Sequence, residues 1–545
     1  MKTKQLLTGF IAAALVAGAF SGCEKANKEN ADSGELTKVT TSDSYPIKTD
    51  VTLRYWKSLS PNISAYATSM NDTAFHDFLE EDTGIKIKFE HPVSGQEAQA
   101  FNLLLNSDDL PDIIEYAWSS YANGPQKAID EGIIAPLNSY FDKVSPNVKK
   151  YLDAHPDLAV QLMTDEGNYY QYPAVRDSDD LLVFMTYIIR KDLLDKAGLD
   201  VPESFDEWNT ALYKFKEMGV ETPLSIQLTN KYLDTFSPFT GVFGFAGTFY
   251  HDENNKVRFG PYEPEFADYV RQLRKWYDDG ILDREFVNTD AKRLSAMVTN
   301  GRAGAISATI GGEFGNYLSA IPENSKIKFV PTKIPTKEKG KTAMYSQKDW
   351  PIKDGAAISA TSKHKEIAAR LLDYGYSEQG RILFNFGREG DTFNYEDTKW
   401  GKAPVYTPKV VDSKENGGLT VAQGMSKYIR AYAAGPFIQD VGYIHQYYRR
   451  PEQQMAFGIW DSDTLNYKMP ILYFNAEEQK KYTDIMTPID TYREETLAKL
   501  VTGKLDLSYL DEYFGELKRM GIEDAIALKQ AAYDRYLKRL AEIEK

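Results

Sequence analysis

Five consecutive segments decide the fold: VTLRYW at 51–56, TAFHDFLEED at 73–82, IKIKFE at 85–90, QEAQAFNLLLNSDD at 96–109 and DIIEYAW at 112–118. Val51, Leu53 and Tyr55 fall on one face of an extended chain, as do Ile85, Ile87 and Phe89, which is the period-2 pattern of strands with one face in a core. In the two longer intervening segments the apolar residues recur at helical spacing. A strand-helix-strand-helix-strand series predicts a parallel sheet covered by helices. In open sheets of this kind ligands lie beyond the carboxyl ends of the strands, and Trp56 and Trp118 fall there.

A second series follows. Ser204 and Glu207 have the spacing of a capping box; Trp208, Leu212, Phe215 and Met218 form one helical stripe, and Gly219 is placed to end it. Phe266, Tyr269, Val270, Leu273 and Trp276 form another stripe, closed by Gly280. An aromatic within an amphipathic stripe is usually structural, so Trp208 and Trp276 are expected in a core. With 545 residues, the chain exceeds the roughly 250–300 residues at which single cores stop growing. A formal charge of −15 and a pI near 5.1 leave no basic stripe for nucleic acid.

The amino terminus reads as a leader. Lys2 and Lys4 precede an apolar run from Leu6 to Phe20, shorter than the about 20 residues of a membrane span, and Ser21 and Gly22 lead into Cys23, the sole cysteine. FSGC resembles the bacterial lipobox, with Phe20 where leucine is usual. That resemblance implies cleavage before Cys23 and attachment of diacylglycerol to its thiol; two acyl chains anchor a protein stably. Removing residues 1–22 takes away two lysines and no acid, so the charge moves from −15 to −17. The polar stretch that follows, to about residue 50, is expected to be a flexible linker.

YIIRKDLLDKAGLDVPESFDEW (187–208), DGILDREF (279–286), NGRAGAISATIGG (300–312), AAISATSKHKEIAARLLDYGYSEQG (356–380) and FGREGDTF (386–393) resemble, in that order, the extracellular solute-binding proteins of family 1, and within it the large oligosaccharide-binding lipoproteins of Gram-positive ABC transporters. The resemblance implies an α/β, two-lobed, periplasmic-binding-protein-like (type II) fold with a ligand cleft between the lobes. It implies a signal peptide at 1–22, a lipidated linker at 23–50, lobe 1 at 51–180, lobe 2 at 181–330, a return crossing and the rest of lobe 1 at 331–395, and helices shared by both lobes at 396–545. The implied function is capture of an oligosaccharide and delivery to ABC permease subunits by a monomer held at the outer face of the membrane, with no cofactor and no catalysis.

Large members of that family carry a calcium loop after the capped helix. Here KFKEMGVETPLSIQL (214–228) supplies no alternating series of oxygen ligands, and DENNK (252–256) has Lys256 where a third ligand belongs. It reads as a polar turn, and no calcium-dependent rise in melting temperature is expected. No HExxH occurs, the six histidines are scattered, and GKT at 340–342 reads as an exposed basic turn, since Pro335 stands where the first glycine of a phosphate loop should be. A glycosidase needs only two carboxylates at the right separation, so a surface-anchored polysaccharide-degrading enzyme is the second reading, and a carbohydrate adhesin the third.

A sugar ring has an apolar face and a rim of hydroxyls, so its site needs flat aromatics beside planar donors and acceptors. The candidates are Trp56 and Trp118 after the first and third strands, Tyr121 in the following turn, and Phe314 after Gly311 and Gly312, in a loop that lines the cleft in the family. Trp350 is added because Pro351 extends the backbone before it, and Arg388 and Glu389 because they lie between glycines. For the last two, a structural ion pair is the alternative.

Overall fold

The computed structural model describes residues 38 and 45–543, apart from 122–123, 184, 229–232, 234–236, 323, 345–347, 400, 434 and 461–466. Its strands, in chain order, are β1 (Thr52–Trp56), β2 (Lys86–Glu90), β3 (Ile113–Tyr116), β4 (Tyr172–Arg176), β5 (Met185–Arg190), β6 (Thr222–Ser225), β7 (Phe249–His251), β8 (Val257–Phe259), β9 (Ala303–Thr309), β10 (Phe329–Pro331), β11 (Ile352–Ile358), β12 (Phe393–Thr398), β13 (Gly401–Tyr406) and β14 (Ile438–Gln439). Two sheets dominate, with orders β14-β4-β11-β3-β1-β2 and β10-β5-β9-β6. They are the cores of two lobes.

The opening segments form as their periodicity requires. β2, β1 and β3 are parallel, joined by helices Ala74–Thr83 and Glu97–Leu105. Leu53, Tyr55, Ile87 and Ile113 face Phe75 and Leu79 on one side, while Trp56 and Ile114 face Phe101 on the other. The sheet is mixed rather than purely parallel, because β11 returns from the second lobe and runs antiparallel to β3 and β4.

In the second lobe the Ser204 hydroxyl accepts from the Glu207 N–H, and the Glu207 carboxylate accepts from the Ser204 N–H, so both cap bonds form. Trp208, Leu212 and Phe215 are buried, as are Phe266, Tyr269, Val270, Leu273 and Trp276. Tyr187, Phe239, Trp208 and Trp276 pack ring against ring at 4.5–5.3 Å. Gly219 ends the first of these helices at φ +84°, a left-handed conformation that a side chain disfavours.

The strand directions fix where the lobes meet. In the first sheet the carboxyl ends of β1, β2, β3, β4 and β14 share one edge with the start of β11. In the second, the ends of β6, β9 and β10 share one edge with the start of β5. Residues 177–184 join β4 to β5, residues 332–351 join β10 to β11, and residues 440–475 run from β14 to the last helices. All three links leave from these edges, so the edges face one another.

The C-terminal helices tie the lobes from behind. Helix Ala476–Thr502 packs on helix Phe266–Asp278 of the second lobe, and helix Ile522–Ile543 packs on both helix Pro156–Gln161 of the first lobe and β8 of the second. DENNK forms the turn between β7 and β8, where the Asp252 carboxylate accepts from the N–H groups of Asn254 and Lys256 and from Arg258. Gly340–Thr342 is an exposed turn. Among the described residues no helix is long and apolar enough to cross a membrane. Cys23 lies outside the described residues.

Candidate ligand-binding cleft

At the first-lobe edge the order β2-β1-β3 places a topological switch between β1 and β3, the position where open sheets bind ligands. Inward alternation carries on past Leu53 and Tyr55 to Lys57, and past Ile113 to Glu115. The Lys57 ammonium lies 3.0 Å from the Glu115 carboxylate, and Arg430 reaches the same carboxylate at 3.0 Å. The Tyr55 hydroxyl donates to it at 2.6 Å. Burial pushes the Glu115 carboxyl up, but the charges of Arg430 and Lys57 outweigh burial and hold it at about 2. Burial and the Arg430 charge push Lys57 down to about 8, with Glu115 opposing.

His91 completes this corner as a neutral imidazole. Its Nδ1–H donates to the Lys57 carbonyl at 2.9 Å, which leaves Nε2 to accept from the Met70 N–H at 3.1 Å. Burial lowers its affinity for a second proton. Tyr432 stands beside Arg430, Ser60 and Tyr66. Tyr66 also lines an adjoining open groove of about 610 Å³ with Asp72, Asn416 and Lys427.

Where the lobes join, a cavity of about 240 Å³ takes Arg176 and Gln439 from the first lobe, Asp180 and Asp349 from the crossings, Thr309, Gly311 and Gly312 from the second lobe, and Tyr443 and Tyr448 from helix Val441–Tyr447 and just beyond it. Two polar contacts brace it: the Arg176–Asp349 ion pair, and the Asp180 carboxylate 2.8 Å from His445 Nε2. Gly311 allows the closest approach, since a Cβ there would lie 2.3 Å from the Tyr448 hydroxyl.

Three crossing segments run side by side at the joint. The Asp349 N–H donates to the Leu182 carbonyl at 2.7 Å, the Arg176 N–H to the Pro351 carbonyl at 2.8 Å, and the Trp350 indole N–H to the Met469 carbonyl at 3.2 Å. Lys468 sits 3.6 Å above the Trp350 ring.

The residues chosen from sequence separate into three groups. Trp56, Trp118 and Tyr121 do come together, but as an aromatic cluster with Phe101 and Tyr116 beneath the strand ends. Trp56 is 6% exposed. Trp118 is fully buried and donates its indole N–H to the Ile114 carbonyl at 3.0 Å, so in this structure it packs rather than faces a ligand. Tyr121 is half-buried, its hydroxyl on Glu131 at 2.8 Å. Trp350 is half-buried at the joint. Phe314 follows the cleft edge of β9 but is fully buried, stacked on Trp460 at 6.4 Å.

Arg388 and Glu389 depart from the sequence placement. Arg388 pairs with Glu81 at 3.0 Å and Asp82 at 2.7 Å, residues at the end of the helix that leads into β2, and therefore at the sheet edge opposite the cleft. Glu389 sits exposed in the turn between helix Glu378–Phe386 and β12. The structural pairing of Arg388, the alternative at the sequence level, is the one formed.

Sequence reasoning missed Lys57, Glu115, Arg430 and the Arg176–Asp349 pair. A signal existed for the first two, since a charge at the next inward position of a core strand demands a partner. Nothing local marks Arg430, which arrives from 315 residues away.

The sequence profile of the bacterial extracellular solute-binding proteins matches residues 60–382, more than half of the chain. The chain is 22% identical, over 98% of both sequences, to the fructooligosaccharide ABC transporter substrate-binding protein FusA of Streptococcus pneumoniae serotype 4. It is 24% identical to lipoprotein LipO of Bacillus subtilis, covering 71% of this chain and 74% of LipO. The structure of S. pneumoniae FusA in complex with kestose superimposes with a TM-score of 0.70 at 20% identity, over 90% of this chain and 100% of that one, a likeness of fold. The facing strand edges, the crossing segments and the profile match agree, and the chain belongs to the family of bacterial extracellular solute-binding proteins.

Proposed function

We propose that this chain is the substrate-binding lipoprotein of an ABC importer, capturing an oligosaccharide by closure of its lobes and presenting it to a membrane permease. The observation that carries the reading is that two strand edges face each other across three parallel crossings, with polar side chains from both edges and from the crossings lining one cavity. The end-to-end match to a fructooligosaccharide-binding protein supports the sugar class. A ligand that touches both edges favours the closed form only by the difference in its affinity for the two forms; hinge motion of the crossings is the ordinary means. A cavity of about 240 Å³ has room for one sugar ring. Cys23 is the proposed anchor, and the polar residues after it the tether that lets a loaded monomer reach its permease. The tether ends sooner than the sequence suggests, before residue 45, because the Tyr45 hydroxyl donates to the Arg370 carbonyl at 2.6 Å and the Ile47 N–H to the Thr83 carbonyl at 2.8 Å, which docks both residues on the first lobe.

FusA, matched over 98% of both chains, is a substrate-binding protein. The two carboxylates lining the cavity, Asp180 and Asp349, are engaged by His445 and Arg176; this favours capture over hydrolysis. The test is titration of the mature chain with a panel of oligosaccharides that includes kestose, following tryptophan fluorescence and analysing the sugars afterwards. Saturable binding with the sugar recovered intact supports the reading. New reducing ends, or no binding by any member, overturns it. Labelling with a radioactive fatty acid, lost in Cys23→Ser, tests the anchor.

A further inference from the structure

The helix that leaves the first-lobe edge carries two hydroxyls that the protein itself does not use. It runs from Val441 to Tyr447, directly after β14, and the Asp440 carboxylate caps it by accepting from the Gly442 N–H at 2.8 Å. Tyr443 lies in its first turn and Tyr448 just past its end, and both line the inter-lobe cavity. Tyr443 is 5% exposed and Tyr448 is half-buried. Burial holds both phenols in the protonated form. Neither hydroxyl has a hydrogen-bond partner among the described residues. Buried tyrosine hydroxyls ordinarily find one: Tyr55 donates to Glu115 at 2.6 Å, Tyr374 to Asp82 at 2.8 Å and Tyr513 to the Pro261 carbonyl at 3.1 Å.

Gln439 adds an acceptor to the same cavity. Its amide nitrogen donates to the Ala431 carbonyl at 2.7 Å, which leaves the side-chain oxygen uncommitted among the described residues. The charged groups of the cavity, by contrast, are already engaged. Arg176 pairs with Asp349, whose other oxygen accepts from the Trp350 N–H at 2.9 Å, and the Asp180 carboxylate lies 2.8 Å from His445 Nε2. Two carboxylates against one guanidinium offer an acidic ligand no counter-ion, and an unmatched charge is costly in a buried site. What the cavity leaves open is a set of neutral donors and acceptors.

We propose that the inter-lobe cavity selects an uncharged sugar ring, whose hydroxyls pair with those of Tyr443 and Tyr448 and with the Gln439 side-chain oxygen. This rests on the oligosaccharide-capture reading and narrows it to neutral glycans at this position. The Tyr448 hydroxyl stands where a Cβ on Gly311 would come within 2.3 Å of it, so a ring bonded there also meets the second-lobe edge.

The experiment is isothermal titration of the mature chain with kestose, maltotriose, cellotriose and mannotriose, each against a counterpart oxidised to the carboxylate at every C6 hydroxymethyl group. The neutral member of a binding pair is expected to bind at least tenfold more tightly than its acid. Tyr443→Phe and Tyr448→Phe keep the rings and remove only the hydroxyls. Each should weaken the same neutral sugar about three- to tenfold, the worth of one neutral hydrogen bond. The melting temperature should not move, because no bond within the protein is lost; a purely structural tyrosine would lower it and spare the affinity. Deoxy analogues of the bound sugar give a second readout. The analogue lacking the paired hydroxyl should bind the native chain more weakly than the parent sugar does, and the corresponding Phe variant no more weakly. Equal or tighter binding of the acids, or native affinity in both Phe variants, overturns the inference and leaves capture standing. Failure of every neutral and acidic member to bind overturns both.

Discussion

The two edges that face across the cleft are built from opposite materials. The first-lobe edge is stiff and charged: Lys57, Glu115 and Arg430 interlock above a packed cluster of Trp56, Phe101, Tyr116 and Trp118. The second-lobe edge is small and uncharged where it meets the cavity, with Thr309, Gly311 and Gly312 in a turn that a neighbouring tyrosine presses closely. A charged edge orients a ligand because its groups are fixed before the ligand arrives. A glycine edge can approach because nothing projects from it. In the proposed function the first lobe orients the ligand and the second closes on it.

The sharpest way to break this contrast is Glu115→Gln, which leaves two buried cations without their common carboxylate. The folded state should lose about 3–5 kcal/mol, read by denaturant unfolding. A loss below about 1 kcal/mol would show that the cluster is not the structural element of that edge.

Acid should act on the same edge. The Glu115 carboxyl has its folded pKa, about 2, below its ordinary 4.5, so its stabilisation is complete above pH 4.5 and is lost as pH falls from 4.5 toward 2. The loss is up to about 3 kcal/mol. Lys57 behaves in the complementary sense: its folded value of about 8 lies below 10.5, the unfolded chain holds the proton more tightly, and stability should rise between pH 8 and 10.5. Unfolding curves across both ranges, with Glu115→Gln lacking the acid limb, check the pair of signs.

At the opposite edge, Gly311→Ala sets a methyl group against Tyr448. A cost of about 1–3 kcal/mol is expected from overpacking, together with weaker oligosaccharide binding in the same titration. An unchanged affinity would mean that the second-lobe edge does not approach the ligand.

The joint is predicted to matter for affinity more than for stability. Trp350→Ala removes the ring beneath Lys468, an interaction worth about 0.5–2 kcal/mol, and should weaken ligand binding about tenfold while shifting the melting temperature little.

The fold was legible because it rests on repeating patterns. The alternation in 51–56 and 85–90, the capping box at Ser204 and Glu207, and the stripes containing Trp208 and Trp276 are local signals, and each element formed where its pattern lay. The candidate site was only partly legible. Trp118 ends a strand, as a cleft residue would, but its indole N–H finds the Ile114 carbonyl four residues back and the ring turns inward. Arg388 sits between glycines, yet those glycines close a turn at the far edge, where Glu81 and Asp82 capture the guanidinium. The Lys57–Glu115–Arg430 contacts bring together segments 58 and 315 residues apart, and a separation of that size leaves no periodic trace.

The central claim is that the two edges approach each other around an oligosaccharide. Val93, 68% exposed after β2, and Asn316, exposed after β9, can carry spin labels as cysteines in a mature chain lacking Cys23, and the distance between them can be measured by pulsed dipolar spectroscopy with and without a bound sugar. The account predicts a shorter, narrower distance distribution on saturation. Saturable binding with an unchanged distribution would contradict it.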